Sequence, residues 1–164
     1  MGRLQRELRQ NRPFQSTAHE AVVGLIRTAD LVRRHMTALV EPHGITLQQF
    51  NVLRILRGAG EEGLPTLVIR DRMIHEAPGI TRLLDKLEKA GLARRERTSP
   101  DRRQVFCFIT ERGRAMLDEL DGEMKEADEV AVGNLSDAEQ RQLLKLLEGV
   151  RAGHRSKTAE PQSA

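Results

Sequence analysis

Within six positions the chain places a hydroxyl, a guanidinium and an ammonium group, at Thr81, Arg82 and Lys86. These are groups for contacting a polyanion. Arginine can read a guanine edge with two hydrogen bonds, threonine can meet a thymine methyl or a phosphate, and lysine supplies a point charge. The residues between them decide how they are displayed. Ile80, Leu83, Leu84 and Leu87 recur at i, i+3, i+4 and i+7, the spacing of one helix face. The other side then carries Pro78, Arg82, Asp85, Lys86 and Lys89, with Thr81 on its flank, and Gly91 sits where a helix stops. Ala77, Pro78 and Gly79 open this helix and offer no side-chain hydrogen bond, so they permit close approach more than they specify a base. An apolar back with such a front suits insertion into a DNA major groove.

A second group of charges follows. Leu92–Arg97 and Gln104–Ile109 are short strand-like runs, separated by a Pro-containing turn that ends in Asp101, Arg102 and Arg103. Val105, Cys107 and Ile109 fall on one face of the second run, Phe106 and Phe108 on the other. An isolated Asp-Arg-Arg is more readily a solvated turn. At a hairpin tip directly after the polar-fronted helix, it reads as a second contact, aimed at phosphate or a narrow minor groove.

Other chemistries find no comparable constellation. The chain has no Gly-rich phosphate loop, no HExxH and no Gly-x-Ser-x-Gly elbow, and its histidines, His19, His35, His43, His75 and His154, lack ligand spacing. Neither an enzyme nor a metal or cofactor site is expected. The single cysteine, Cys107, alternates with Val105 and Ile109 and reads as a small core hydrophobe.

These groups need elements to hold them. Residues 1–17 form a basic arm, briefly helical over Leu4–Gln10 and interrupted before Pro13; fraying or packing on a partner subunit is favoured over contact with phosphate. Ser16 or Thr17 starts a helix with the stripe Val22, Leu25, Ile26, Ala29, Val32, Met36, Leu39 and Val40, ended by Pro42-His43-Gly44. It should run on the order of 35 Å at 1.5 Å per residue. Thr46 caps a helix with Phe50, Leu53, Ile55 and Leu56 inward. Thr66 caps a shorter one through Met73, with Leu67, Ile69 and Met73 inward and Arg70 and Arg72 outside the apolar set. A turn of three or four residues then leads into the polar-fronted helix, the arrangement of a helix-turn-helix. Beyond the hairpin, Thr110 caps a helix carrying Met116, Leu117, Leu120, Met124, Ala127 and Ala131. Ser136 and Glu139 form a capping box for a last helix with Leu143, Leu144, Leu146, Leu147 and Val150.

The stretch 64–117 resembles the winged helix-turn-helix core of MarR-type transcriptional regulators, most specifically in TRLLDKLEKAGL (81–92) and DRRQVFCFITERGRAML (101–117). The latter is similar to the family's wing pattern of Asp-x-Arg followed by Leu-Thr-x-x-Gly, with Ile109 in place of Leu. His75-Glu76-Ala77-Pro78-Gly79 departs from the Ser/Thr-rich helix start common in the family. The resemblance extends over about residues 18–150. It implies a mainly α fold with a small β-hairpin wing, a winged helix-turn-helix joined to long dimerising terminal helices. The expected layout is a flexible basic arm (1–17), a MarR-type domain (18–151) and a disordered tail (152–164). Within the domain, 18–45 and 111–151 are the dimerisation helices and 46–110 the core. The expected DNA contacts are Thr66, Ala77, Pro78, Gly79, Thr81, Arg82, Lys86, Asp101, Arg102 and Arg103, with Arg103 matching the wing arginine. The resemblance also implies a small aromatic or anionic effector between dimer helices and winged helix, near Arg33, His35, Met36, His43, Phe50 and Met116.

Charge agrees with this division. Residues 63–112 hold 11 Lys/Arg against 7 Asp/Glu, whereas 113–150 hold 4 against 10, as for a DNA-facing middle carried on a non-binding scaffold. The terminal helices carry more apolar positions than one winged helix covers, which predicts a homodimer on a pseudo-palindromic double-stranded operator. With no apolar run of membrane-spanning length, a cytoplasmic repressor is expected. The competing reading is a winged helix that binds protein through exposed Phe106 and Phe108.

Overall fold

The computed structural model describes residues 2–75, 77–97 and 105–158, the side chains of 155–158 excepted. It comprises two compact units, residues 1–124 and 125–164.

The first unit begins with a short helix, α1 (Arg3–Glu7), followed by the long α2 (Thr17–Val40). Contrary to the options weighed for the arm, α1 lies on its own chain's α2. Glu7 pairs with Arg27 at 3.0 Å, and Gly24 leaves room beside the Leu4 side chain. Ser16 caps α2 by accepting the His19 N–H at 3.1 Å. The predicted stripe of α2 divides in two. Met36, Leu39 and Val40 join the core, whereas Val22, Leu25 and Ile26 are exposed, Ile26 at 64%. A 3-10 turn, Glu41–His43, ends at Gly44 with φ +74°, a conformation that costs glycine no Cβ clash.

Helix α3 (Leu47–Gly58) opens with the full capping box: the Thr46 N–H donates to Gln49 Oε1 at 2.9 Å and the Gln49 N–H to Thr46 Oγ1 at 3.2 Å. Phe50, Leu53 and Leu56 are buried as expected. Next come β1 (Leu64–Pro65), α4 (Thr66–Arg72), α5 (Ile80–Lys89), β2 (Ala93–Glu96), β3 (Phe106–Ile109) and α6 (Glu111–Val132). The hairpin acquires a third strand that pattern reading misses. β3 is central, pairing Cys107 with Leu64 on one side and with Arg95 on the other. Pro65, which lacks an N–H, is tolerated because β1 is an edge.

Three expectations about α4 and the turn after it are corrected. Pro65, not Thr66, is its N-cap, and no side chain makes a capping hydrogen bond. Leu67 points outward at 62% exposure, leaving Ile69 fully buried and Met73 packed against the core. The connection to α5 runs from Met73 to Gly79, longer than three or four residues, because α5 starts only at Ile80. Asn51 of α3 steadies this turn by accepting the Ile74 N–H at 3.0 Å.

In the second unit α7 (Asp137–Thr158) follows Ser136, whose N–H and hydroxyl both donate to Glu139 Oε2, at 2.8 and 2.7 Å. The helix passes the tail boundary expected at residue 152 and continues to Thr158. Nothing in that segment breaks a helix before Pro161. Leu144, Leu146 and Val150 are exposed. No helix among the described residues is long and apolar enough to cross a membrane.

Candidate nucleic-acid interface

Helix α5 is oriented by its apolar back. Ile80, Leu84 and Leu87 are buried in the cluster that also holds Leu53, Leu56, Ile69 and Leu117. The chain leaves α5 through Gly91 at φ +71°, with the Leu92 N–H donating to the Leu87 carbonyl at 2.9 Å. Thr110 secures this end: its hydroxyl donates to the Gly91 carbonyl at 2.7 Å and accepts the Gly113 N–H at 3.1 Å, which caps α6 as predicted. The start of α6 is seated against β2 because residue 113 has no Cβ. One built there would collide with the Leu92 carbonyl oxygen and lie 2.8 Å from Ile109 Cγ1.

With that back fixed, Thr81, Arg82, Asp85, Lys86, Glu88 and Lys89 are all exposed. Among the described residues, the ion pairs of α5 involve only its carboxylates. Arg95 of β2 reaches Asp85 Oδ1 at 2.7 Å and grips Glu88 through Nε at 2.9 Å and through Nη2. The Arg95 hydrogen bond holds the Glu88 carboxyl below its ordinary range. Arg82, Lys86 and Lys89 form no ion pair among the described residues, so α5 presents three uncompensated cations. Beside them a depression of about 260 Å3 is lined by Gln48, Ala77, Pro78, Gly79, Arg82, Leu83 and Lys86.

The structure brings together Pro78, Gly79, Arg82 and Lys86, and places Thr81 exposed on the same helix. Ala77 differs from its expected role. Its side chain is 3% exposed, and its carbonyl accepts the Ile80 N–H at 3.1 Å to start the helix, so its methyl is core rather than a base contact. Thr66 is half-buried with its hydroxyl 3.7 Å from Cys107 Sγ. Asp101, Arg102 and Arg103 lie outside the described residues. Gln48, on the first turn of α3, was missed by sequence reading. The only signal was its position two residues after the Thr46 cap. Arg95 was missed because its partners are defined by sheet register and not by spacing along one element. Of the other arginines considered for phosphate, Arg70 pairs with Asp71 at 3.0 Å and Arg72 is exposed.

Phe108 is 8% exposed. It packs against Gly63, where a Cβ would lie 2.5 Å from the ring, and under the Arg94 guanidinium at 4.3 Å. Phe108 is therefore not an exposed protein-binding anchor, while Phe106, expected on the same face, is half-buried. Cys107 is fully buried, and burial pushes its thiol up.

The residues expected around an effector are distributed differently from one another. Arg33 and His35 are exposed on α2, and Asp30 engages Arg33 at 2.6 Å and Arg34 at 3.0 Å. Phe50 is buried, with Met36 and Met116 packed on the same core, and His43 Nδ1 is 3.9 Å from Glu119 Oε2. No group of three metal-ligating side chains exists among the described residues.

The model of the MarR family matches residues 43–104, which include α3, α5 and β2. The chain is 34% identical over 107 residues to the HTH-type transcriptional regulator TtmR of Methylorubrum extorquens, covering 65% of this chain and 54% of that protein. It is 32% identical over 96 residues to the HTH-type transcriptional regulator MhqR of Bacillus subtilis, covering 58% and 65%. The matched stretches thus span between half and two thirds of these two relatives. The crystal structure of a MarR transcription factor from Planctomyces limnophilus superposes with a TM-score of 0.65 at 35% identity, over 83% of this chain and 98% of that one.

Proposed function

Because the chain belongs to the MarR family of transcriptional regulators, we propose that it binds double-stranded DNA sequence-specifically as a homodimer and represses transcription in the cytoplasm. The observation that carries this reading is the row Arg82, Lys86 and Lys89, exposed and without an ion pair among the described residues, on a helix whose other side is locked into the core. Arg82 would read a guanine edge and Thr81 a thymine methyl or phosphate. Lys86 and Lys89 would hold the backbone. Pro78 and Gly79, with short or no side chains at the helix start, would admit the duplex to the depression beside Gln48. By its match to the family wing pattern, Arg103 would enter the minor groove, flanked by Arg102 on phosphate and oriented by Asp101. Thr66 has a smaller part in this account, since its hydroxyl faces Cys107.

The exposed apolar residues of α2 and α7 support dimerisation, which would set two α5 helices about 34 Å apart, one turn of duplex. A small aromatic or anionic effector would act by preferring a dimer whose α5 helices miss that spacing. For a hundredfold loss of affinity the coupling is about 2.7 kcal/mol.

The test is a gel shift of the full chain with duplex from its own upstream region at two salt concentrations. Binding by phosphate neutralisation weakens steeply, by a slope of about 0.9 in log K per phosphate contact. Salt-independent retention would overturn the reading.

A further inference from the structure

Asp85 and Glu88 set a problem for a DNA-facing α5, because they are the wrong charge for that surface. Asp85 lies three residues after Arg82 and four before Lys89. Those are the spacings at which helix side chains of opposite charge pair with one another. Left alone, Asp85 would draw in Arg82 and Lys89, and Glu88 would add an uncancelled negative charge. Neither cation forms an ion pair among the described residues, and both carboxylates are held from outside the helix by Arg95.

The hold is specific. The planar guanidinium engages Asp85 with Nη2 and Glu88 with Nε and Nη2, and the Arg95 backbone N–H donates to Glu88 Oε1 at 3.2 Å. A lysine could not bridge in this way. Its position is set by strand register: Arg95 stands opposite Cys107, which is fully buried, so β2 delivers the side chain to the same place on α5. The Arg95 side chain is 27% exposed, less than the 53% and 40% of Asp85 and Glu88, so it sits inward of the carboxylates it neutralises.

We propose that Arg95 is a positioning residue for DNA binding: by sequestering Asp85 and Glu88 it keeps Arg82 and Lys89 free for phosphate without touching DNA. This rests on the reading of α5 as the DNA-facing helix.

The experiment is a fluorescence anisotropy titration of cognate duplex across a salt series, using the full chain. It compares wild type, Arg95→Gln, Asp85→Asn with Glu88→Gln, and the triple variant, with melting followed by circular dichroism. Arg95→Gln is expected to weaken binding about tenfold and to reduce the slope of log K against log salt by one to two contacts, at about 0.9 each. The triple variant is expected to recover wild-type affinity within about threefold, and its slope with it. Arg95→Gln added to the neutralised pair then costs less than about twofold, a comparison that stands even if the single variant melts early. Two results would overturn the inference: an Arg95→Gln protein that binds as wild type does, or a folded triple variant that stays weaker than the neutralised pair. The second would mean that Arg95 itself contacts DNA or acts through the scaffold. Failure of the wild type to bind duplex would instead remove the DNA-binding reading.

Discussion

Two residues brace the candidate interface from behind α5. Gly113 is where α6 crosses the Leu92 backbone, and no side-chain rotation relieves a clash with a carbonyl oxygen. Gly113→Ala is therefore expected to cost about 1–3 kcal/mol, the range for overpacking a close contact, measured as a lowered urea midpoint with unchanged m-value. Thr110 ties the end of α5 to the start of α6 through one hydroxyl. Thr110→Val should lose about 1 kcal/mol, typical of an N-cap, and Thr110→Ser should restore most of it. Both residues belong to the Ile-Thr-x-x-Gly run that sequence reading singles out, and the structure supplies the physical reason for that spacing. Arg95 gave no comparable signal, since arginine in a basic strand is unremarkable until its register is known.

At the scale of elements, α3 and α6 are joined by Arg57, whose guanidinium binds Asp121 with both Nη atoms, at 2.8 and 2.9 Å, and Asp118 at 3.3 Å. The hydrogen bond from Arg57 holds the Asp121 carboxyl below its ordinary range. A carboxyl depressed in the folded state stabilises above its unfolded pKa, and that contribution is lost as pH falls through the folded value. Arg57→Ala should accordingly lower stability at neutral pH by up to about 1 kcal/mol, as an exposed pair allows. In urea melts the gap from wild type should close as the medium becomes acid; a gap that persists there would assign the loss to packing. Some element ends were legible because caps are local: Thr46 with Gln49 and Ser136 with Glu139 start helices, and Gly91 stops one, each within a few residues. What was not legible depends on distant partners. β1 is two residues long and includes a proline, so only pairing with β3 makes it a strand. Leu67 looked inward by spacing, but α4 buries a narrower stripe. Ala77 looked like an interface residue because chain order placed it at the helix start, and only tertiary packing sends its methyl to the core.

At the scale of the whole molecule, each unit leaves apolar side chains open: Val22, Leu25 and Ile26 in the first, Leu144, Leu146 and Val150 in the second. Single chains seldom expose so much apolar surface. The proposed dimer predicts that Ile26→Glu combined with Leu144→Glu yields a monomer by light scattering and a sharp loss of duplex affinity, since charge in an apolar seam is costly. A folded wild-type monomer at micromolar concentration would end that account. One further property follows from the placement of Cys107, the single thiol of the chain, at 0% exposure on the central strand. An aqueous thiol reagent can reach it only when the sheet opens, so modification kinetics under native conditions become a clock for that opening. The rate should be slow in the wild type and accelerate in Gly113→Ala, its logarithm rising with the lost stability, about tenfold per 1.4 kcal/mol. The wing's integrity can thus be timed in the native chain, with no label introduced.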